Sequence, residues 1–134
     1  MCNPVQHKWD VHESDVITAV IGTITVSQNI CVDGSTTTSS TGSMTWSASP
    51  LGTTAGYRFD NAQTNKVAES TGRSTFRSDA LIKLCVATAG PVCGFDQEFE
   101  INHIAYSKNF VGPQITPTAQ CTNDQCALRF TKIQ

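Results

Sequence analysis

Asp10, His12 and His103 are the residues of this sequence best suited to acid–base chemistry. Asp10 and His12 are two positions apart, so in a β-strand both side chains project from one face. A small hydrolase could use this pair if His103 came close to it, because a histidine base needs an orienting partner. A divalent metal ion would also need three or four converging ligands. Period-two alternation instead places His103 on the face of Phe99 and Ile101, which favours a core position and predicts no metal site.

Other catalytic and cofactor patterns are missing from the sequence. No Gly-x-Ser-x-Gly turn presents a nucleophilic serine, and Glu98 and Glu100 on one strand face are typical of a solubilised edge. Lys66, Arg73 and Arg77 are interspersed with acidic residues, and the net charge is −2, so no phosphate track for nucleic acid is predicted. No apolar run reaches the ~18 residues of a membrane span. We therefore predict a protein without enzymatic activity, cofactor or membrane-spanning segment.

The six cysteines predict a disulfide framework. They contain no Cys-x-x-Cys pair of the kind that zinc sites use, and an even number in a small domain is typical of an oxidising compartment. We interpret Met1 as replacing a removed signal segment of a secreted protein; a lipid anchor on Cys2 is the alternative. Short loops are favoured, and they leave the two N-terminal cysteines for each other: Cys85–Cys93, Cys121–Cys126 and Cys2–Cys31.

Two groups of residues are candidates for binding. A disulfide between Cys85 and Cys93 would hold the intervening loop as a rigid tip, and rigid loops bind with a lower ordering cost. A secreted inhibitor or toxin-like effector could use such a loop. Aromatic residues among Trp9, Trp46, Tyr57 and Tyr106 could also form a platform for stacking a sugar ring, and Trp46 and Tyr57 are favoured. The candidate binding residues are Thr88, Ala89, Gly90 and Pro91 in the loop and Trp46 and Tyr57 in the platform.

Period-two alternation of apolar residues predicts strands along most of the chain. β-branched residues between Glu13 and Val20 argue against the one candidate helix. The Ser/Thr-rich stretch Gly34–Gly42 predicts a flexible hairpin tip. We predict a single domain over residues 1–134, an all-β antiparallel β-sandwich or small closed barrel of about seven to eight strands. The predicted strand segments are Gly22–Ile30, Ser43–Ser47, Tyr57–Phe59, Ala80–Thr88, Gln97–Ser107 and Leu128–Phe130.

Hydroxyl side chains replace charge on the surface of this protein. Charged residues make up 15% of the chain, against about 25% in average proteins, while 18 Thr and 12 Ser are present. Such a surface suits hydrogen-bonded contacts more than electrostatic capture.

We therefore predict a secreted, non-enzymatic binding or assembly module that acts through surface loops and strand edges. Its expected partner is another secreted or cell-surface protein, or a glycan, and the oligomeric state is left open. An assembly subunit would expose a long unpaired strand edge or dock its N-terminal segment on a neighbour. The alternatives are the inhibitor or effector that uses the Cys85–Cys93 loop and the hydrolase built on Asp10, His12 and His103.

Overall fold

Nine strands and one short helix make up the regular structure of the part of the chain that is described. The computed structural model describes residues 1–13, 19–87, 91–94 and 96–134. The elements are β1 Val5–Glu13, β2 Val20–Asp33, β3 Thr36–Ala48, α1 Pro50–Ala55, β4 Tyr57–Ser70, β5 Arg73–Ala87, β6 Pro91–Cys93, β7 Gln97–Tyr106, β8 Thr118–Cys121 and β9 Leu128–Lys132.

The strands form two antiparallel sheets. The first sheet has the order β3-β2-β1-β9, and the second has the order β4-β5-β7-β8, with β6 paired to the end of β5. The predicted all-β antiparallel class is therefore confirmed. Each sheet has four strands in its main order, and these eight strands, without β6, agree with the predicted number. The two separate sheets also show that the closed barrel considered as an alternative was wrong. No helix among the described residues is long and apolar enough to cross a membrane.

The main core contains residues from both sheets, as expected for a β-sandwich-like arrangement. Ile24 and Val26 of β2 are fully buried in the same cluster as Phe99 and Ile101 of β7. These are the positions that period-two alternation assigned to the inner faces. Burial of alternate apolar side chains thus drives the two sheets together.

The predicted flexible tip at Gly34–Gly42 was wrong. Only Gly34 and Ser35 lie between β2 and β3, and the residues from Thr36 onward belong to β3. They pair with β2, from Thr36 opposite Asp33 to Gly42 opposite Gln28. Thr favours the pleated surface when a partner strand is present. The continuous β2 strand therefore orders a stretch whose composition resembles that of a linker.

The helix α1 was not predicted, although its sequence carries the usual signals. Ser49 caps its N-terminus by accepting a hydrogen bond from the Gly52 amide, and Pro50 occupies the first turn. Gly56 ends the helix at φ 94°, a left-handed conformation that glycine adopts without strain. The segment considered for a helix lies mostly outside the described residues, since β1 ends at Glu13 and residues 14–18 are not described.

All three predicted disulfides are present, and together they indicate an oxidising environment. The N-terminal bridge holds the start of the chain against β2, and the second joins β5 to β6. The third closes the loop between β8 of the second sheet and β9 of the first sheet. The bridges are Cys2–Cys31, Cys85–Cys93 and Cys121–Cys126.

Candidate functional site

The edges of the two sheets differ in how far they are protected against pairing with another chain. An unpaired edge strand presents free N–H and C=O groups, and proteins protect it with bulges, charges or short length. β4 has register shifts at Asp60/Gln63 and at Lys66/Ala68. β8 has four residues and β9 has five. β3 is a 13-residue edge strand with one register shift, between Cys31 and Val32 of its partner, and it has no such device from Ser39 to Ala48.

The edge strand β3 is uncharged, and it is regular from Ser39 to Ala48. Its register with β2 is unbroken from Ala48 opposite Gly22 to Ser39 opposite Cys31. The chain contains no Asp, Glu, Lys or Arg between Gly34 and Tyr57. Among the described residues no strand pairs with the second edge of β3. Alternate backbone groups of this strand therefore point away from β2 and are available to a partner.

Side chains occupy the first part of this edge. Thr37 Oγ1 donates to the Ser70 carbonyl at 3.4 Å and accepts from the Gly72 amide at 3.1 Å. Ser40 Oγ donates to Glu69 Oε1 at 2.9 Å. The pKa of Glu69 is lowered most by this hydrogen bond and next by the hydrogen bond from Lys66. These contacts hold the start of β3 to the β4–β5 hairpin, so the free edge of β3 is residues 41–48.

The two aromatic residues proposed as a sugar platform lie at the margin of the core. The Trp46 ring stacks on Phe59, with centroids 5.6 Å apart and planes 14° apart. The same ring covers Gly22, where an added Cβ would lie 2.2 Å from it. The indole thus packs on both residues, and its use as a sugar platform stays a prediction. Tyr57 also packs against the main core, and burial, followed by the nearby Glu13 carboxylate, raises its pKa to about 12.

The predicted binding loop is described only in part. Thr88, Ala89 and Gly90 lie outside the described residues, while Pro91 begins β6 and pairs with Ala87. The cysteines of the bridge occupy directly opposed positions of the β5–β6 hairpin. The bridged hairpin is thus confirmed, and its use by an inhibitor or effector stays a prediction.

His103 lies apart from the other two residues of the predicted hydrolase, since it contacts Gln28, whereas Asp10 and His12 lie opposite Thr23 and Val20 of the same strand. Asp10 accepts a hydrogen bond from Thr23 at 3.1 Å, at paired positions of β1 and β2. His103 is fully buried and is hydrogen-bonded to side chains of other strands. His12 is buried at the register shift between Val11 and His12. The described part of the chain contains no group of three or more His, Cys, Asp or Glu residues arranged to hold a metal ion.

A buried polar network around His103 was not predicted from the sequence. Ser78 Oγ lies 2.8 Å from His103 Nε2, and Gln28 Oε1 lies 3.1 Å from His103 Nδ1. Thr64 Oγ1 lies 2.7 Å from Ser78 Oγ. Burial, followed by the charge of His7, lowers the pKa of His103 to about 4. The order of groups resembles a serine–histidine catalytic pair, but Ser78 and His103 are 0% exposed and out of a substrate's reach.

The core position of His103 was predicted by alternation, whereas its partners were not. Gln28 and Ser78 lie on two other strands, in two different sheets. No local pattern in the sequence relates these positions. The only available signal was the unusual occurrence of polar residues at inward positions of strands that otherwise alternate.

Comparison with known proteins adds no family: no protein-family model, no curated protein and no solved structure matches this chain.

Proposed function

We propose that this protein is a secreted, non-enzymatic recognition module that binds an extended segment of another extracellular protein along the free edge of β3. The observation that supports this proposal is the free edge at residues 41–48, which is regular and uncharged, whereas β4 has two register shifts and β8 and β9 are short. In strand addition, the main chain of the partner supplies the affinity, and alternate side chains supply the specificity. An edge of this kind is one of the two features expected of an assembly subunit; the other is an N-terminal segment docked on a neighbour.

The expected occupant is a segment of low charge. A charged side chain placed against this edge would lose water without gaining an opposite charge, which is unfavourable. The outer side of the free edge has hydroxyl residues, Ser43 and Thr45, and the inner side has Met44 and Trp46. A partner strand that alternates small polar and apolar residues would match both sides.

The test is a pair of lysine substitutions on two paired strands. Thr45→Lys places a charge at the free edge, a common natural device against strand pairing. Thr25→Lys is the matched control, because Thr25 lies directly opposite Thr45 on the central strand β2. Uncharged peptides selected from a displayed random library serve as the probe, and backbone amide shifts and exchange rates serve as the readout.

We expect selected peptides to perturb and protect amides of the free edge. Thr45→Lys should weaken binding at least tenfold, and Thr25→Lys should change it by less than about twofold, since surface substitutions away from the contact are nearly neutral. Selection of no binding peptide, or perturbations that map elsewhere, would contradict the proposal. A concentration-dependent dimer abolished by Thr45→Lys would make a second copy of this chain the occupant instead.

A further inference from the structure

A pocket of about 410 Å³ lies beside the free edge, where β1, β2 and β3 run next to one another. Paired positions on three strands contribute to it, since Gln6 is opposite Ser27 and Ser27 is opposite Ser43. Its volume is within the range of about 300–1,000 Å³ that is typical of small-molecule sites. We call it the outer pocket; it is lined by Pro4, Val5, Gln6, Ser27, Gln28, Asn29, Thr41, Gly42 and Ser43.

The lining of the outer pocket carries no charge, and it combines amide and hydroxyl groups with a larger apolar surface. Amide and hydroxyl groups can both donate and accept hydrogen bonds, as a sugar hydroxyl does. The second sheet has a different character, because Lys83 pairs with Asp60 at 3.0 Å and Arg77 with Glu100 at 3.6 Å. A ligand with a phosphate or carboxylate would find no opposite charge in the outer pocket. The lining therefore favours a neutral, hydroxyl-rich ligand.

Asn29 gives independent evidence for a ligand. Its Oδ1 atom is buried and has no hydrogen-bond partner among the described residues. Its Nδ2 atom makes only a long contact, 3.7 Å, with Cys31 Sγ. Native proteins leave few buried acceptors unpaired, because the lost hydration is not recovered. A hydroxyl donor from a molecule bound in the pocket would satisfy this atom.

We infer that the outer pocket binds a neutral saccharide. Ring hydroxyls donate to Asn29 Oδ1 and exchange hydrogen bonds with Ser27 and Thr41. The aliphatic face of the ring packs on the apolar part of the pocket surface, to which Pro4 contributes. This site goes beyond the strand-addition function and does not depend on it, because the lining side chains, not the free backbone groups, hold the ligand.

The first experiment is a survey of an array of neutral, sialylated and sulfated glycans, followed by NMR titration with the neutral disaccharides that bind. We expect saturable binding of at least one neutral glycan, with shifts at the Asn29 side-chain amide and at neighbouring pocket residues. Binding to no glycan, or only to the charged ones, would overturn the inference. Shifts that map outside the pocket would overturn it as well.

Asn29→Ala separates a ligand-binding role from a structural one. It should weaken saccharide binding about tenfold, the loss of one strong hydrogen bond, with an unchanged or raised Tm because no protein hydrogen bond to Oδ1 is lost. Thr45→Ala, at an outward position of β3 beyond the pocket lining, is the matched control and should keep full affinity. Full saccharide binding by Asn29→Ala would contradict the assigned role.

A second variant keeps the inference testable if Asn29→Ala does not fold. Thr41→Trp fills the outer pocket from an exposed position and should abolish saccharide binding without loss of structure. Retained binding by this variant would overturn the site. Thr45→Lys should still bind the saccharide, so the failure of strand addition and the failure of this site are distinguishable.

Discussion

At the scale of single residues, His103 is the group whose protonation the fold opposes most. Its two ring nitrogens are held by Ser78 and Gln28, and its ring stacks on Phe76 at 5.7 Å. Its pKa falls from 6.5 to about 4, mainly because burial removes the water that would solvate the charge. A neutral, fully hydrogen-bonded histidine links the two sheets through Gln28 of the first and Ser78 of the second.

We predict that acid destabilises the fold through this residue. The folded pKa lies below the unfolded value, so the unfolded chain takes up the proton first, and stability is lost as the pH falls from about 7 toward 4. The loss attributable to His103 is about 3 kcal/mol at most. Urea unfolding of the protein and of His103→Gln over this range measures it. The same dependence of the free energy of unfolding on pH in the two proteins would contradict the prediction.

At the scale of elements, local signals explain α1 better than the edge strand. Ser49 and Pro50 mark the start of the helix, and both are visible in the sequence. The position of β3 at the edge of its sheet is not visible in the sequence, because β2 and β3 share the same alternation of polar and apolar residues. β2 is a central strand because β1 pairs with one of its edges and β3 with the other, and β3 is therefore left at the edge of the sheet. Strand order is a long-range property that no local period encodes.

We expect Ser49→Ala to destabilise the protein by about 1–2 kcal/mol. The hydroxyl has two roles, since it accepts from the Gly52 amide at 2.9 Å and donates to the Val20 carbonyl at 2.6 Å. Thr54→Ala in the same helix is the control and should change stability by less than about 0.5 kcal/mol. Thermal unfolding monitored by circular dichroism measures both variants. A change in Ser49→Ala no larger than the control's would show that the cap contributes little.

At the scale of the whole molecule, the two sheets are joined to each other differently on their two sides. On the β3–β4 side, side-chain hydrogen bonds such as Ser40 to Glu69 join the sheets. On the β8–β9 side, the bridged loop between Cys121 and Cys126 carries the chain from one sheet to the other. The free edge of β3 is thus left open by the architecture.

We predict that the N-terminal disulfide stabilises the fold more than the C-terminal one. The Cys2–Cys31 bridge spans 29 residues and the Cys121–Cys126 bridge spans 5. Loop-closure entropy then predicts about 3.5 kcal/mol for the first and about 2 kcal/mol for the second. Paired Cys→Ser variants of each bridge, unfolded in urea, give the comparison. The reverse order would show that native contacts outweigh chain entropy here.

The sequence by itself predicted the all-β class, the inward faces of β2 and β7 and the two short-loop disulfides, with Cys2–Cys31 left by elimination. The strand faces follow from a side-chain period of two, and the two local bridges follow from the short loops between their cysteines. Only the tertiary structure decided that β3 is an open edge, that Asn29 has an unpaired acceptor in a pocket and that His103 lies between Ser78 and Gln28. These features join residues far apart in the chain, and long-range packing, not local preference, brings such residues together.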